Sequence, residues 1–115
     1  MATAPKYSQN ALNVSGSVVT LITGVTAGVT QVSSIYFCNT NISTSRTVTL
    51  LMAGTGVSAT NEIMTITLTA RGTAGSTYLL ELNNAPLIMT NQITIRAYQD
   101  TGTDVIATCN YLEVT

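Results

Sequence analysis

Short alternating runs separated by turn clusters dominate the chain from residue 17 onward. Glu62–Ala70 places Met64, Ile66, Leu68 and Ala70 on one side and Ile63, Thr65, Thr67 and Thr69 on the other. Gln92–Gln99 sets Ile93, Ile95 and Ala97 against Thr94, Arg96 and Tyr98, and Thr77–Leu82 sets Tyr78, Leu80 and Leu82 against Leu79 and Glu81. A period of two is the signature of a half-buried strand. Further strands are predicted over Ser17–Thr23, Val29–Asn39, Arg46–Ala53 and Asp104–Thr115, with a short edge strand at Leu87–Met89 beside Pro86. Turns fall at Gly24–Gly28, Thr40–Ser45, Gly54-Thr55-Gly56, Gly72–Gly75, Asn83–Pro86 and Asp100–Asp104. No window carries a helical period. The expected fold is all-β, an antiparallel β-sandwich of jelly-roll-like type with about eight strands.

Residues 1–16 stand apart. They are polar and unpatterned, with Pro5, Asn10, Asn13 and Gly16. They predict an extended N-terminal arm in front of a sandwich domain over residues 17–115, an arm that adds little to the core and whose loss the domain tolerates. Pro5 stiffens an extended path, and Lys6 and Tyr7 offer a cation and an amphipathic ring to a polar groove. These three residues are the candidate partner-binding site.

Composition sharpens the picture. The 115 residues suit one domain, able to bury roughly two-thirds of its unfolded surface. Thr occurs 22 times, Val 10 and Ile 9, so more than a third of the chain is β-branched, which favours strands over helices. Only 8% of residues are charged and the net charge is −1. Such a chain lacks the basic footprint that nucleic acid requires. It also lacks the mixed charges that keep a monomer dispersed and blunt its sheet edges. Thr, Ser and Asn are expected on the solvent faces in their place, and a charge-poor β-domain of this kind is expected to live assembled with copies of itself or with neighbours.

The chemistry is sparse. With no His, neither a Ser-His-Asp nor a Cys-His pair is available, and two Cys cannot complete a zinc tetrahedron. No metal or cofactor site is expected. Asp100-Thr101-Gly102 matches the triplet of retroviral-type aspartic proteases, but only 13 residues follow it, too few for the strands that cross beneath such a loop; it reads as a hairpin turn. Asp100 and Asp104 offer two acids to a Ca²⁺ that prefers more. Asn13-Val14-Ser15 and Asn41-Ile42-Ser43 match the glycosylation pattern as chance does in such a chain. Arg46, Arg71 and Arg96 are dispersed. The five Tyr residues (7, 36, 78, 98 and 111) suit packing or subunit contact better than a glycan platform without Trp. No apolar h-region or run of about 18 apolar residues is present, so neither export nor a membrane partner is expected. Cys38 and Cys109 are then expected as buried, reduced thiols.

One stretch carries a resemblance. Ile35-Tyr36-Phe37-Cys38-Asn39-Thr40, a polar loop and Thr47-Val48-Thr49-Leu50-Leu51 are followed by Thr77-Tyr78-Leu79-Leu80, Pro86-Leu87-Ile88 and a last strand ending Leu112-Glu113-Val114-Thr115. Over residues 17–115 this order resembles small virion proteins of tailed bacteriophages, with Ala74-Gly75 in place of a Pro-Gly turn. The resemblance implies a non-enzymatic capsid cement or decoration protein, a homotrimer stabilising the head and bound to the phage major capsid protein or neighbouring virion proteins. It implies synthesis and assembly in the bacterial host cytoplasm and final residence in the virion. A tail, neck or fibre component, or a carbohydrate-binding β-sandwich module, is the alternative.

Overall fold

The computed structural model describes residues 2–52, 61–90 and 93–115. Nine strands run through them: β1 (Thr3–Ala11), β2 (Val19–Thr23), β3 (Val29–Asn39), β4 (Arg46–Met52), β5 (Glu62–Leu68), β6 (Thr77–Glu81), β7 (Leu87–Thr90), β8 (Thr94–Gln99) and β9 (Val105–Val114). One 3₁₀ turn at Ser15–Ser17 precedes β2, and the described residues hold no α-helix. The expected turn at Gly54-Thr55-Gly56, and the expected strand ends at Ala53 and Gln92, lie outside the described residues.

The strands form two antiparallel sheets. In one, β1, β9, β3 and β6 follow in order, and β7 pairs with β3 beyond the end of β6; in the other the order is β2, β8, β4, β5. The connectivity is a nested hairpin. The first strand pairs with the last, β2 with β8, β3 with β6 and β7, and β4 with β5. Folding that long hairpin over itself adds the β3·β9 and β4·β8 ladders. This is the jelly roll, a double sheet built from two Greek keys. Among the described residues β7 pairs with β3 alone, an edge position that suits Pro86 beside it.

The core follows from the alternation. Phe37 and Ile35 on β3 face Ala107 and Cys109 on β9 in the same register rows. They meet Val48 and Leu50 of β4 and Ile95 and Ala97 of β8 across the sandwich, in one cluster of fully buried side chains. Every polar side-chain atom buried among the described residues has a hydrogen-bond partner. One glycine is dictated by a close approach. Gly28 turns β2 into β3 at φ 114°, and a Cβ there would lie 2.0 Å from the Val114 carbonyl oxygen.

Two expectations need correction. Residues 1–16 do not form a separate arm. Thr3–Ala11 are extended, but they pair over all nine residues with β9, from Thr3 opposite Val114 to Ala11 opposite Ile106. Leu12 is buried in the core, and its N–H donates to the Val105 carbonyl at 2.8 Å. Removing residues 2–12 would strip an edge strand and a core side chain, so the fold includes them. The sequence concealed this because the inward positions of β1 are Ala4, Lys6, Ser8 and Asn10, which show no apolar alternation.

The cysteines also differ from expectation. Both are free, but only Cys109 is buried; Cys38 is half-buried. They occupy neighbouring strands on opposite faces of one sheet. Cys109 stands opposite Ile35 on the inner face, and Cys38 opposite Ile106 on the outer face. Side chains on opposite faces of a sheet cannot be bridged without moving backbone. Burial pushes the Cys109 thiol up to about 11, a shift that Ser8 opposes by hydrogen bonding. Reductant should therefore leave the melting temperature unchanged; a fall of many degrees in calorimetry would expose a disulfide. Phe37→Ala should lower the unfolding free energy by about 3–5 kcal/mol, read from urea titration, because it opens a cavity at the centre of the core.

Candidate functional site

Two features concentrate polar or exposed chemistry: a network at one end of the sandwich and the two outer sheet faces. The network is centred on Asp104, at the start of β9. Its Oδ1 accepts from Arg46 Nε at 2.9 Å and from Gln99 Nε2 at 2.8 Å; its Oδ2 accepts from Arg46 Nη2 at 3.0 Å and from Asn41 Nδ2 at 2.9 Å. Arg46 opens β4 and Gln99 closes β8, so the carboxylate ties together three strand ends and the β3–β4 loop. Gln99 completes its own pairing by accepting from the Val105 N–H at 2.9 Å and donating to the Thr101 carbonyl at 2.6 Å. Asn39 secures the same end. Its Nδ2 donates to the carbonyls of Thr44 and Thr69, and its Oδ1 accepts from the Asn41 N–H.

This geometry holds loops together and leaves no reacting group free. Asp100 of the Asp100-Thr101-Gly102 triplet sits in the hairpin between β8 and β9, where its Oδ1 accepts from the Thr47 N–H at 3.1 Å. Thr101 accepts from Arg46 Nη1 at 2.6 Å, and Gly102 takes a positive φ of 77°. The triplet is a turn. The Asp104 carboxylate is already filled by four donors, so Asp100 and Asp104 do not present an open pair to a cation, and the described residues contain no group of three acids or cysteines placed to hold a metal. Arg46 is the member that sequence reasoning missed. It lies 58 residues from Asp104, and nothing local to either residue marks the pair.

The outer faces contrast. On the β2–β8–β4–β5 sheet, Thr20, Thr47, Thr65 and Thr67 point outward, and Thr47 and Thr67 are hydrogen-bonded across the strands at 3.4 Å. That is the expected hydroxyl-rich surface. The outer face of the other sheet is different. Tyr7 on β1 is 76% exposed, Leu79 on β6 50%, Ile88 on β7 47% and Tyr36 on β3 40%, and all four side chains lie on this one face. Tyr36 stands directly opposite Leu79. Pro5, Leu112, Gln31 and Ile88 form one row across the sheet, and Tyr7, Asn110, Ser34 and Glu81 the next.

The candidate residues Pro5, Lys6 and Tyr7 lie on the exposed edge strand, but not as one group. Pro5 and Tyr7 belong to the apolar outer face, whereas Lys6 alternates to the other side, opposite Tyr111. The tyrosines do not form a platform either. Tyr7 and Tyr36 share the outer face, Tyr78 and Tyr111 turn to the opposite side of that sheet, and Tyr98 belongs to the second sheet.

Asp104 provides a pH test of the end network. The hydrogen bonds from Arg46 above all, with Asn41 and Gln99 adding to them, hold its carboxyl well below the usual carboxylate range, against the opposing effect of partial burial. A folded-state value below the unfolded one of about 4 gives stability that is fully present above that pH and is lost as the pH falls further. Asp104→Asn should therefore melt several degrees lower than the native protein at pH 7. The deficit should shrink as the pH falls from 4 towards 2, measured by thermal denaturation. A deficit constant over that range would show that the carboxylate charge contributes nothing.

No family model matches the sequence, and no curated protein matches it. Among solved structures the fold is shared with a chain of a Helicobacter pylori bacteriophage capsid, at 11% identity, covering 97% of this chain and 86% of that one, with a TM-score of 0.59. It is also shared with a subunit of the Bacillus endospore appendages, described as disulfide-linked pili, at 11% identity, covering 99% of this chain and 87% of that one, with a TM-score of 0.52. The chain thus has a jelly-roll sandwich that both structures also contain, over nearly its whole length.

Proposed function

We propose that this chain is a structural subunit of a bacteriophage virion, a trimeric cement or decoration protein that binds the outside of the head and stabilises it. The observation that carries the reading is the fold shared end to end with a phage capsid chain. It agrees with the exposed apolar side chains of one sheet and with an Asp104 network that, among the described residues, fastens loops. Binding energy in such a protein comes from repetition. Weak contacts around a local symmetry axis add by avidity, so no single residue has to dominate. The major capsid protein is the partner, the role is non-enzymatic, and the chain is made and assembled in the host cytoplasm.

Likeness to an appendage pilus subunit over the same span favours a second reading, a tail, neck or fibre component that polymerises along an axis. Closed symmetry separates the two readings. Sedimentation at tens of micromolar should show a homotrimer, which would bury more than about 1,000 Å² in total. A monomer would sink the cement reading, and an open-ended polymer would favour the fibre.

Pro5, Lys6 and Tyr7 contribute, from the exposed edge strand, to contact with a neighbouring subunit or the capsid. Lys6→Ala with Tyr7→Ala should leave the melting temperature within a few degrees, because both side chains are exposed. It should weaken decoration of particles several-fold, read as occupancy against protein concentration. Undiminished occupancy would remove these residues from the contact.

A further inference from the structure

We infer that the outer face of the β1–β9–β3–β6/β7 sheet is covered by a second copy of this chain. The inference rests on the reading of the chain as an assembling subunit and identifies the surface it assembles through.

The first argument is chemical. Four of the most exposed large apolar side chains, Tyr7, Tyr36, Leu79 and Ile88, come from four different strands and lie on this face, Tyr36 directly opposite Leu79. Interface cores are enriched in tyrosine and depleted of charge. Among the outward residues of this sheet the one charged side chain is Glu81. It stands on β6 in the row between Leu79 and Ile88, where its carboxylate accepts from the Asn83 N–H at 3.0 Å. A face with one charge among its outward residues offers little to a strongly basic or acidic partner, and it suits a neighbour as charge-poor as itself.

The second argument concerns cost. Two pairs of polar side chains on the face already bond to each other, which lowers the cost of covering them. Gln9 Nε2 donates to Thr108 Oγ1 at 3.1 Å, and Asn110 Nδ2 donates to Ser34 Oγ at 3.1 Å. A polar group that keeps its hydrogen bond loses little when water leaves, whereas an unpaired one is expensive to bury.

The third argument is size. Four strand positions about 4.8 Å apart, each about ten residues long at about 3.3 Å per residue, give a face of roughly 600 Å². Specific interfaces begin at about 600 Å² on each partner, so the face reaches the lower end of what a stable pair of copies needs. Among the described residues of the opposite sheet, outward threonines bear hydroxyls and pair across strands, with Thr47 and Thr67 at 3.4 Å and Thr49 and Thr65 at 3.4 Å.

The test introduces charge into the face at the adjacent Tyr36 and Leu79. Tyr36→Lys with Leu79→Lys should weaken self-association at least 100-fold and give a cooperatively folded monomer in sedimentation. Thr65→Lys on the opposite sheet should leave the native oligomer intact. Should the double variant fail to fold, Cys38 in the native protein decides. It sits in this face beside Ile106, so its alkylation rate should fall at least tenfold as the protein is concentrated from monomer into oligomer. A native protein that stays monomeric, a charged variant that still associates, or a Cys38 rate independent of concentration would each overturn the inference. Decoration of phage capsids by the native protein is scored separately. An oligomer built through this face that never binds a capsid would sink the virion reading alone, and a decorating oligomer unaffected by the two lysines would sink this inference alone.

Discussion

The position of β9 between β1 and β3 determines most of this structure. Val105, Ala107 and Cys109 on its inner side lie in the core, while Ile106, Asn110 and Leu112 on its outer side belong to the surface. Its ladder with β3 spans nearly the full length of both strands, and its ladder with β1 brings the two ends of the described chain together. Reciprocal hydrogen bonds between Ala2 and Thr115, each 2.8 Å, close that ladder. The start of β9 is fixed in turn by Asp104, whose four donors arrive from three other segments. One strand thus connects core, surface and end network, and contacts of this kind are non-local, which makes them slow to form in folding.

The pattern of the chain made the strands legible wherever one face is buried by apolar residues. Val29–Asn39 reads as a strand and is one, with the same limits; Met64, Ile66 and Leu68 do share the inward side of β5. The failures have a common cause. β1 carries Lys6, Ser8 and Asn10 where a core strand would carry aliphatics, so its conformation comes from the open edge of β9 and not from its own alternation. Pro5 is tolerated there because β1 is an edge. Likewise, Arg46 and Asp104 become partners only when the long hairpin folds, and neither residue has a local signature. The apolar face was invisible for the same reason: Tyr7, Tyr36, Leu79 and Ile88 are scattered over four strands, and only the topology places them together.

The two faces divide the work of staying soluble and being sticky. A chain with so few charges has to prevent edge-to-edge and face-to-face association by other means. On the β2–β8–β4–β5 sheet the outward threonines provide hydroxyls that bind water and one another while their methyl groups maintain strand packing. On the other sheet hydroxyls such as those of Ser34 and Thr108 are interleaved with aromatic and aliphatic side chains that stand at 40–76% exposure. Low charge therefore has opposite meanings on the two sides. On the threonine sheet it is compatible with solvent, and on the tyrosine sheet it removes the repulsion that would keep another copy away.

Shared architecture by itself carries little functional information, since one sandwich serves capsids, pili and lectins alike. What distinguishes an assembling subunit from a ligand-binding module is how its polar groups are used. A binding module needs convergent, unspent donors and acceptors in a concave site. Here Asp104, Gln99, Asn39 and Asn41 are consumed in fastening loops, and the donors of Gln9 and Asn110 are consumed within the flat outer face. The side chains left exposed there are the ones that a second protein surface satisfies by exclusion of water, without directional chemistry. That distribution sets an exposed apolar surface on one sheet apart from an end network whose polar groups are already paired.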